Sequence, residues 1–419
     1  MLDCLFILLL QLAVILIATQ VGAWISVKLG MTPIMGELAA GVVLGPTVFG
    51  ALAPAWQRTL FPPLGTVNGE ILTSFFWIGL TLLMFLGGLE IDMETVRRHI
   101  GPAFAIAVGT VGLAFATGVV FAGFLPADLF PSPSRLALRL YFANALAITA
   151  IPMLIKILTD LKLFETRFGK TVVLAGVIID TIGWLVLAIV TRGTTVGFSF
   201  RQTFVTCGLI ALFLGGSFVL SRFVFSRLAK LQKADEALSI PFLASVLALM
   251  LLSAAVTERL HIHPVLGAFA VGLMVGTWGL SRRVKERLSD FAFSFFIPIL
   301  LATLGMRANL LLINTWQLWG ITALIAVVMC GGKYIGGGLG AKLTGFSWAE
   351  SAAVGAAVNT KGVLGLVAAK AGFDLGFIPP NLYAMLVVVS LALTFVPVVE
   401  LQRLKPRLFR PEDRPAMVP

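Results

Sequence analysis

The residues best suited to chemistry in this chain are a few charged side chains inside long apolar stretches. Asp180 is the only acid between Glu165 and Asp235. At about 1.5 Å per helical residue, it lies about 18 Å from the start of its predicted helix, near the middle of a bilayer. A carboxylate at that depth costs about 2.5–3.5 kcal/mol to insert, so its presence favours a functional role.

The stretch before Asp180 is interrupted. Residues 146–184 read LAITAIPMLIKILTDLKLFETRFGKTVVLAGVIIDTIGW, an apolar segment broken at Thr149 and Pro152, then a charged turn, then the segment that holds Asp180. Proline removes a backbone donor and clashes with the preceding turn, so we predict that the helix breaks or kinks here. A broken helix beside a mid-membrane carboxylate indicates an ion or proton site.

Composition places the chain among integral membrane proteins. It is 58% hydrophobic and 12% charged, and its mean hydropathy is +1.00, unlike a soluble domain. The net charge of +11 predicts basic cytoplasmic loops, and we expect no nucleic-acid partner. The three cysteines are scattered through apolar runs, so neither a disulfide framework nor a metal site is indicated.

We predict an all-α polytopic protein with about 13 transmembrane helices. The predicted spans are 4–27, 33–50, 70–91, 101–124, 137–159, 168–191, 202–221, 236–257, 264–280, 288–306, 315–341, 349–370 and 381–402. A short basic tail, 403–419, follows them. The N-terminal stretch lacks a basic leader, so it is interpreted as a first span and not as a signal peptide.

Loop charge predicts the orientation. An odd number of spans puts the termini on opposite sides of the membrane. With the N-terminus outside, twenty of the 31 lysines and arginines fall in inside loops or the tail, and seven fall outside. The positive-inside rule then predicts a cytoplasmic C-terminus. We expect a protein of the bacterial inner (plasma) membrane that is surrounded by the lipid bilayer.

Other polar residues lie at membrane depth. Lys333 falls in the middle of the eleventh predicted span, Lys361 lies just after Asn359 in the twelfth, and Glu37 is early in the second. A broken helix exposes unpaired carbonyls, which Lys361 can satisfy, and a nearby lysine can balance Asp180. The central positions of both lysines argue against side chains that extend to the membrane surface. For Glu37, a functional role and a position near the lipid headgroups agree equally well with the sequence.

The two halves of the chain resemble each other. Three matches occur in the same order: TPIMGELAAGVVLG (32–45) with HPVLGAFAVGLMVG (263–276), GGLEIDM (87–93) with LGMRANL (304–310), and the segment around Thr149 and Pro152 with VNTKGVLG (358–365). Seven spans separate each pair, so repeats at about 4–191 and 236–402, joined by a linker helix at 202–221, must be inverted. Inverted repeats with interrupted helices are typical of secondary transporters. Close helix packing alone explains any single match.

These segments together resemble the monovalent cation:proton antiporter-2 superfamily, in particular the Kef-type transporters and the plant cation/proton exchangers. The resemblance rests on ITAIPMLIKILTDLKLFETRFGK followed by IIDTIGW, and on GELAAGVVLGPTVFG, FLGGLEIDMETVRR, CGGKYIGG and VNTKGVLGLV. It extends to about residue 402. It implies the sodium/proton antiporter fold, with two discontinuous crossing helices in a mobile six-helix core, a scaffold domain, a homodimer and an elevator mechanism.

The resemblance also implies roles for individual residues. By this match Asp180, with Thr149, binds a proton or a cation, and Lys333 is the basic residue that faces Asp180. Three further residues match positions at the helix crossing, namely Asn359, Lys361 and Pro152. The chain departs from the pattern at Ile179, where Asn or Asp usually precedes the aspartate. A second expected departure is the lack of a cytoplasmic nucleotide-binding domain after the last span.

We therefore predict a secondary active antiporter that exchanges Na⁺ or K⁺ for a proton by alternating access, with Na⁺ or K⁺ bound at Asp180 and with neither enzymatic activity nor a cofactor. One carboxylate cannot hold a proton and a cation together, so each displaces the other. The span near 381–399 contains no acid, which favours electroneutral exchange, although proton release by Lys333 remains an alternative. Ile179 favours another alternative, a non-transporting sensor or scaffold with the same fold. The sequence also leaves a channel as an alternative function. An intramembrane protease is disfavoured, because the predicted spans lack the pairs of catalytic residues that it needs.

Overall fold

In the computed structural model, most of the described part of the chain is helical. The structure describes residues 2–31, 33–62, 66–89, 93–149, 151–164, 166–196, 240–260, 264–277, 282–361, 363–393 and 395–408, with scattered residues between 201 and 216. No β-strand occurs among these residues. The all-α prediction is therefore confirmed for the described part of the chain.

Eighteen α-helices have bounds within the described residues. They are α1 Leu2–Lys28, α2 Pro33–Leu44, α3 Phe49–Leu52, α4 Pro54–Leu60, α5 Val67–Leu89, α6 Met93–Phe124, α7 Arg135–Ala147, α8 Ile151–Asp160, α9 Arg167–Val196, α10 Ile240–Arg259, α11 Pro264–Thr277, α12 Arg282–Phe291, α13 Ile297–Met306, α14 Trp316–Leu343, α15 Trp348–Val358, α16 Val363–Asp374, α17 Pro380–Leu393 and α18 Phe395–Leu408. A π-helical stretch, Ala292–Phe296, joins α12 to α13.

Eight helical segments of the described residues are long and apolar enough to cross a membrane. They are Cys4–Lys28, Pro33–Leu52, Val67–Leu89, Arg97–Phe124, Arg167–Thr194, Phe242–Arg259, Lys285–Leu312 and Trp316–Leu343. Shorter apolar helices, Pro264–Gly276 and Pro380–Leu393, occupy two more predicted spans. Two further predicted spans, 137–159 and 349–370, are each a pair of short helices with a break between them. The predicted span 202–221 falls mostly outside the described residues.

The helices group into two compact units. The first comprises Met1–Leu16, Phe61–Glu94 and Trp184–Thr303, and the second comprises Ile17–Leu60, Thr95–Gly183 and Leu304–Pro419. Each unit therefore contains segments from both halves of the predicted repeat. All six residues of the predicted site belong to the second unit.

Segments that match each other in sequence make a similar close contact inside each unit. In the first unit α5 meets α11 at Gly88, where an added Cβ would lie 2.5 Å from Phe269 O. In the second unit α13 meets α2 at Gly305, where an added Cβ would lie 2.4 Å from Leu38 O. Gly88 and Gly305 are the second residues of the matched segments 87–93 and 304–310. Phe269 and Leu38 likewise occupy the same position in the other matched pair. Only glycine permits such close backbone approach.

The core of the second unit holds α9 in place. Side chains of α8, α9 and α15 form one buried hydrophobic cluster, with Leu154, Val172 and Val354 all fully buried in it. Close packing of this kind, and not the expulsion of water, is what holds helices together inside a membrane. α18 contributes Leu401 to the same cluster and continues to Leu408, beyond the predicted span end at 402.

Candidate functional site

The first interrupted helix breaks between α7 and α8. α7 ends at Ala147, and Ile148 leaves the helix with an extended backbone, at φ −64° and ψ 142°. α8 begins at Ile151, so Pro152 lies in its first turn. The missing N–H of proline removes no helical hydrogen bond at that position. The predicted break is therefore present, and it lies just before the proline.

The second interrupted helix breaks between α15 and α16. α15 begins with a capping box, in which Ser347 Oγ accepts from Glu350 N at 3.2 Å and Glu350 Oε2 accepts from Ser347 N at 2.7 Å. The helix ends at Val358, with Asn359 as its C-terminal cap. The chain becomes helical again at Val363. α15 is thus a short helix with a well-capped N-terminus, and it ends where the two interrupted helices cross.

The two breaks supply hydrogen bonds to each other. Thr149 Oγ1 donates to Val358 O at 3.0 Å, at the end of α15. Lys361 Nζ donates to Ile148 O at 3.1 Å and to two carbonyls in the last turn of α7, the shorter bond being to Leu146 O at 2.6 Å. The last carbonyls of a helix lack partners within it and carry partial negative charge, so a hydroxyl and an ammonium are suitable donors.

Lys333 joins the crossing from the middle of α14. Its side chain is fully buried, and its Nζ donates to Ile148 O at 3.0 Å and to Thr149 Oγ1 at 2.7 Å. Neither Lys333 nor Lys361, which is 1% exposed, extends to the surface. Lys333 contacts the unwound stretch itself, and Thr149 connects it to the carboxylate described next.

Asp180 presents its carboxylate to the same unwound stretch. The residue is 1% exposed, and its Oδ1 accepts from Thr149 N at 3.1 Å. The other oxygen, Oδ2, is buried and has no hydrogen-bond partner among the described residues. Buried polar atoms without partners are rare and costly, so this oxygen is a candidate position for a bound proton or cation. A carboxylate oxygen suits either a proton or a hard cation.

Asn359 links the second break to α14. Its Nδ2 donates to Cys330 O at 3.0 Å and to Gly355 O at 3.2 Å. Its Oδ1 is buried and has no partner within the described part of the chain. The crossing therefore contains a second unpartnered oxygen acceptor.

Ile179 faces away from this polar arrangement. It is fully buried in the hydrophobic cluster that also contains Leu154 and Val354. Its side chain therefore contributes apolar packing next to Asp180. A polar residue at this position would have to find partners among aliphatic side chains.

Sequence reasoning missed several contributors. The backbone N–H of Thr149 and the carbonyls of Ile148 and Cys330 carry no sequence signal of their own, although unwound residues in a membrane must direct such groups somewhere. Asn144, on α7, is 1% exposed, and neither atom of its amide has a hydrogen-bond partner among the described residues. Glu37 is buried on α2, and the hydrogen bonds of the crossing described above do not include it.

The chain is similar in sequence to several known proteins. Residues 14–404 match the profile of the family described as sodium/hydrogen exchanger, transmembrane. The K(+)/H(+) antiporter 1 of Saccharomyces cerevisiae is 30% identical over 390 residues, which are 90% of this chain and 44% of that protein. The Na(+)/H(+) antiporter NhaS4 of Synechocystis is 29% identical over 367 residues, 87% of this chain and 88% of that protein.

A plant relative and a solved structure complete the comparison. The cation/H(+) antiporter 18 of Arabidopsis thaliana is 29% identical over 92% of this chain and 47% of its own length. The chain thus spans less than half the length of the yeast and plant relatives. The sodium proton antiporter MjNhaP1 of Methanocaldococcus jannaschii, solved at pH 8, matches with a TM-score of 0.65 and 16% identity over 97% of this chain and 98% of that one. This likeness shows the fold.

Proposed function

This chain belongs to the sodium/hydrogen exchanger family, and we propose that it is a secondary active antiporter that exchanges Na⁺ or K⁺ for a proton. The observation that carries this proposal is the buried, unpartnered Oδ2 of Asp180 beside two helix breaks. The names of the relatives, which include both K(+)/H(+) and Na(+)/H(+) antiporters, support the substrate class.

The exchange follows from competition at Asp180. A proton on the carboxyl group or a cation against the carboxylate each neutralises its charge, and the two states exclude each other. The cation gains oxygen ligands from Asp180 and, in our proposal, from Thr149, since hard cations take oxygen ligands. Proton release therefore accompanies cation binding, and the reverse occurs on the other side of the membrane.

Lys333 and Lys361 stabilise the crossing in this proposal. Both ammonium groups donate to carbonyls at the end of α7, where the helix dipole favours positive charge. They also offset the carboxylate charge at the membrane midplane. Asn359 and Pro152 position the two breaks, Asn359 as the cap of α15 and Pro152 as part of the first turn of α8.

Transport by alternating access requires the site to open to each side in turn. Asp180 is 1% exposed, so an ion reaches it only after a rearrangement. The hydrogen bonds that connect the two breaks, from Thr149 to Val358 and from Lys361 to Ile148, favour movement of the crossing as one body. We therefore favour an elevator mechanism, which fits the rigid-body motion of many repeat transporters.

The exchange is electroneutral in this proposal, because one carboxylate exchanges one proton for one monovalent cation. The test uses proteoliposomes and Na⁺, with a potassium–valinomycin diffusion potential. The Na⁺-driven proton flux should not change with the imposed voltage. A flux that accelerates or reverses with voltage would contradict the single-carboxylate mechanism and indicate that Lys333 carries a second proton.

The proposed setting is a bilayer, with the protein as a homodimer. The distribution of loop charge supports a bacterial inner membrane, an outside N-terminus and a cytoplasmic C-terminus. The matched segments of the sequence support repeats at about 4–191 and 236–402 around a linker helix at 202–221. Most of α1 is exposed and apolar, a surface that lipid or a second copy would cover. Cross-linking in native membranes tests the homodimer, and protease access to the C-terminus tests the orientation.

The deciding experiment for the function is cation-induced dequenching of a pH-sensitive dye in everted vesicles, scanned over Na⁺, K⁺ and pH. Exchange above that of vesicles without the protein supports the antiporter. A folded, purified protein that shows no exchange with any cation would support the alternative of a membrane sensor or scaffold. A cation flux that runs without any proton flux would support a channel.

A further inference from the structure

Glu400 is a carboxylate that the exchange at Asp180 does not use. It lies on α18, which packs against α15, and its neighbour Leu401 is fully buried in the hydrophobic cluster of the second unit. Glu400 Oε2 is buried and has no hydrogen-bond partner within the described residues. The Glu400 side chain as a whole is only partly buried, so a cation that arrives from solvent can reach it, and its unpartnered oxygen is a suitable ligand.

The surroundings of Glu400 connect it with the middle of α14. Glu400 lies close enough to Cys330 and Tyr334, which are one helical turn apart on that helix, to disfavour their ionisation. On its own helix Glu400 interacts with Arg403, whose side chain is exposed. The carboxylate is therefore near both the charged end of α18 and the part of α14 that contacts the crossing.

A short series of contacts leads from α14 to Asp180. Cys330 O accepts from Asn359 Nδ2, and Asn359 Oδ1 is itself buried and unpartnered among the described residues. Asn359 follows Val358, whose carbonyl accepts from Thr149 Oγ1. The backbone N–H of Thr149 donates to Asp180. Asn359 and Asp180, each with an unpartnered oxygen, are thus linked by successive contacts, and Glu400 lies near Cys330, at the start of this series.

We propose that Glu400 is a second cation-binding site, which receives Na⁺ or K⁺ from the membrane face at which α18 ends and passes it by Asn359 to Asp180. This inference rests on the proposed exchange. Carboxylate and amide oxygens are the ligands that hard cations prefer. A negative group in a confined approach also raises the local cation concentration and the rate of binding. Asp180 remains the only group at which proton and cation exchange.

The central experiment compares wild type with Glu400→Gln, which keeps the size of the side chain and removes its charge. Exchange is measured in inside-out and right-side-out vesicles, so that the cation is offered to one face at a time. The cation concentration for half-maximal exchange should rise about tenfold at the face where α18 ends, the lower end of the effect of charge focusing. It should stay unchanged at the opposite face. If Glu400→Gln leaves the half-maximal cation concentration unchanged at both faces, or raises it equally at both, the proposal is overturned.

A matched control and the wild type separate the possible failures. Glu286→Gln removes an exposed carboxylate of α12 and should leave both half-maximal concentrations unchanged. A rise of the same size in Glu286→Gln would mean that general surface charge is responsible, which contradicts a site at Glu400. If the wild type shows no exchange in either orientation, the proposed function fails, and this result is distinct from a failure of the Glu400 site.

A second measurement does not depend on the folding of a Glu400 variant. Cys330 is partly buried and lies beside the proposed path, so in a Cys4→Ser, Cys207→Ser background it reports on that path. A small cationic thiol reagent should label Cys330 faster than an anionic reagent of similar size from the face where α18 ends, and millimolar Na⁺ or K⁺ should slow the labelling. Equal rates for the two reagents, or labelling that neither cation slows, would overturn the proposal.

Discussion

Thr149→Val tests how strongly the two broken helices depend on each other. Valine has nearly the same shape as threonine, so the substitution removes the hydroxyl with little change in volume. The hydroxyl makes two contacts in the structure, as donor to Val358 O at 3.0 Å and as acceptor from Lys333 Nζ at 2.7 Å. The backbone N–H of Thr149, which donates to Asp180, remains in the variant.

The expected loss follows from these two contacts. Hydrogen bonds between membrane helices average about 0.6 kcal/mol and reach about 1.7 kcal/mol, which covers the bond to Val358. A hydrogen bond to a charged group contributes about 1.5–3 kcal/mol, and the bond from Lys333 is short and fully buried. Together they predict that the free energy of unfolding falls by about 2–5 kcal/mol. Exchange should also slow, because the proposed cation loses one oxygen ligand.

The assay is SDS-induced unfolding in mixed micelles, combined with flux in proteoliposomes. Thr149→Ser is the matched control, since it keeps the hydroxyl and removes only a methyl group. The serine variant should retain most of the stability and most of the exchange. If the valine and serine variants unfold at the same SDS concentration and exchange at the same rate, the hydroxyl does not connect the two breaks, and the reasoning is refuted.

Three more predictions follow from single positions. Asp180→Asn keeps the size of the side chain and removes its charge, so coupled exchange should disappear while the purified protein stays folded; exchange at the wild-type rate would exclude Asp180 as the site. Lys361→Met leaves two carbonyls of α7 without this donor and should lower the free energy of unfolding by about 2–4 kcal/mol; an unchanged SDS midpoint would show that these contacts contribute nothing. Gly88→Ala places a Cβ 2.5 Å from Phe269 O and should lower the yield of folded protein, whereas Gly87→Ala meets nothing within 4 Å and should not; equal yields would contradict the close contact.

Much of the fold was predictable because the membrane restricts what a chain can do. The backbone N–H and C=O groups of a segment in lipid must form their hydrogen bonds within that segment, so a long apolar stretch is expected to form a helix. The interruption near Pro152 was also predictable from the sequence, because proline disrupts the helix that contains it without any tertiary contact. The sequence matched the segments that hold Gly88 and Gly305, but the close contacts of these glycines with Phe269 and Leu38 were found only in the structure.

The site was predictable as a set of residues and not as a geometry. Asp180, Lys333 and Lys361 were conspicuous because charge is expensive at membrane depth. Which atoms they contact depends on how two helices from distant parts of the chain end beside each other. The sequence could not show that Lys333 donates to Thr149 Oγ1 and to Ile148 O; that Lys333 faces Asp180 stays a prediction.

The sequence by itself determined the class of the protein, the depth of its charged residues and the places where two helices break, because these follow from local composition and from the cost of charge in lipid. Only the tertiary structure decided that Thr149 connects both breaks and that Ile179 packs into the apolar cluster. It also decided that Glu400 keeps an unpartnered oxygen. The contacts of Thr149 with Val358 and of Lys333 with Ile148 join residues 209 and 185 positions apart, and no local pattern records such a meeting.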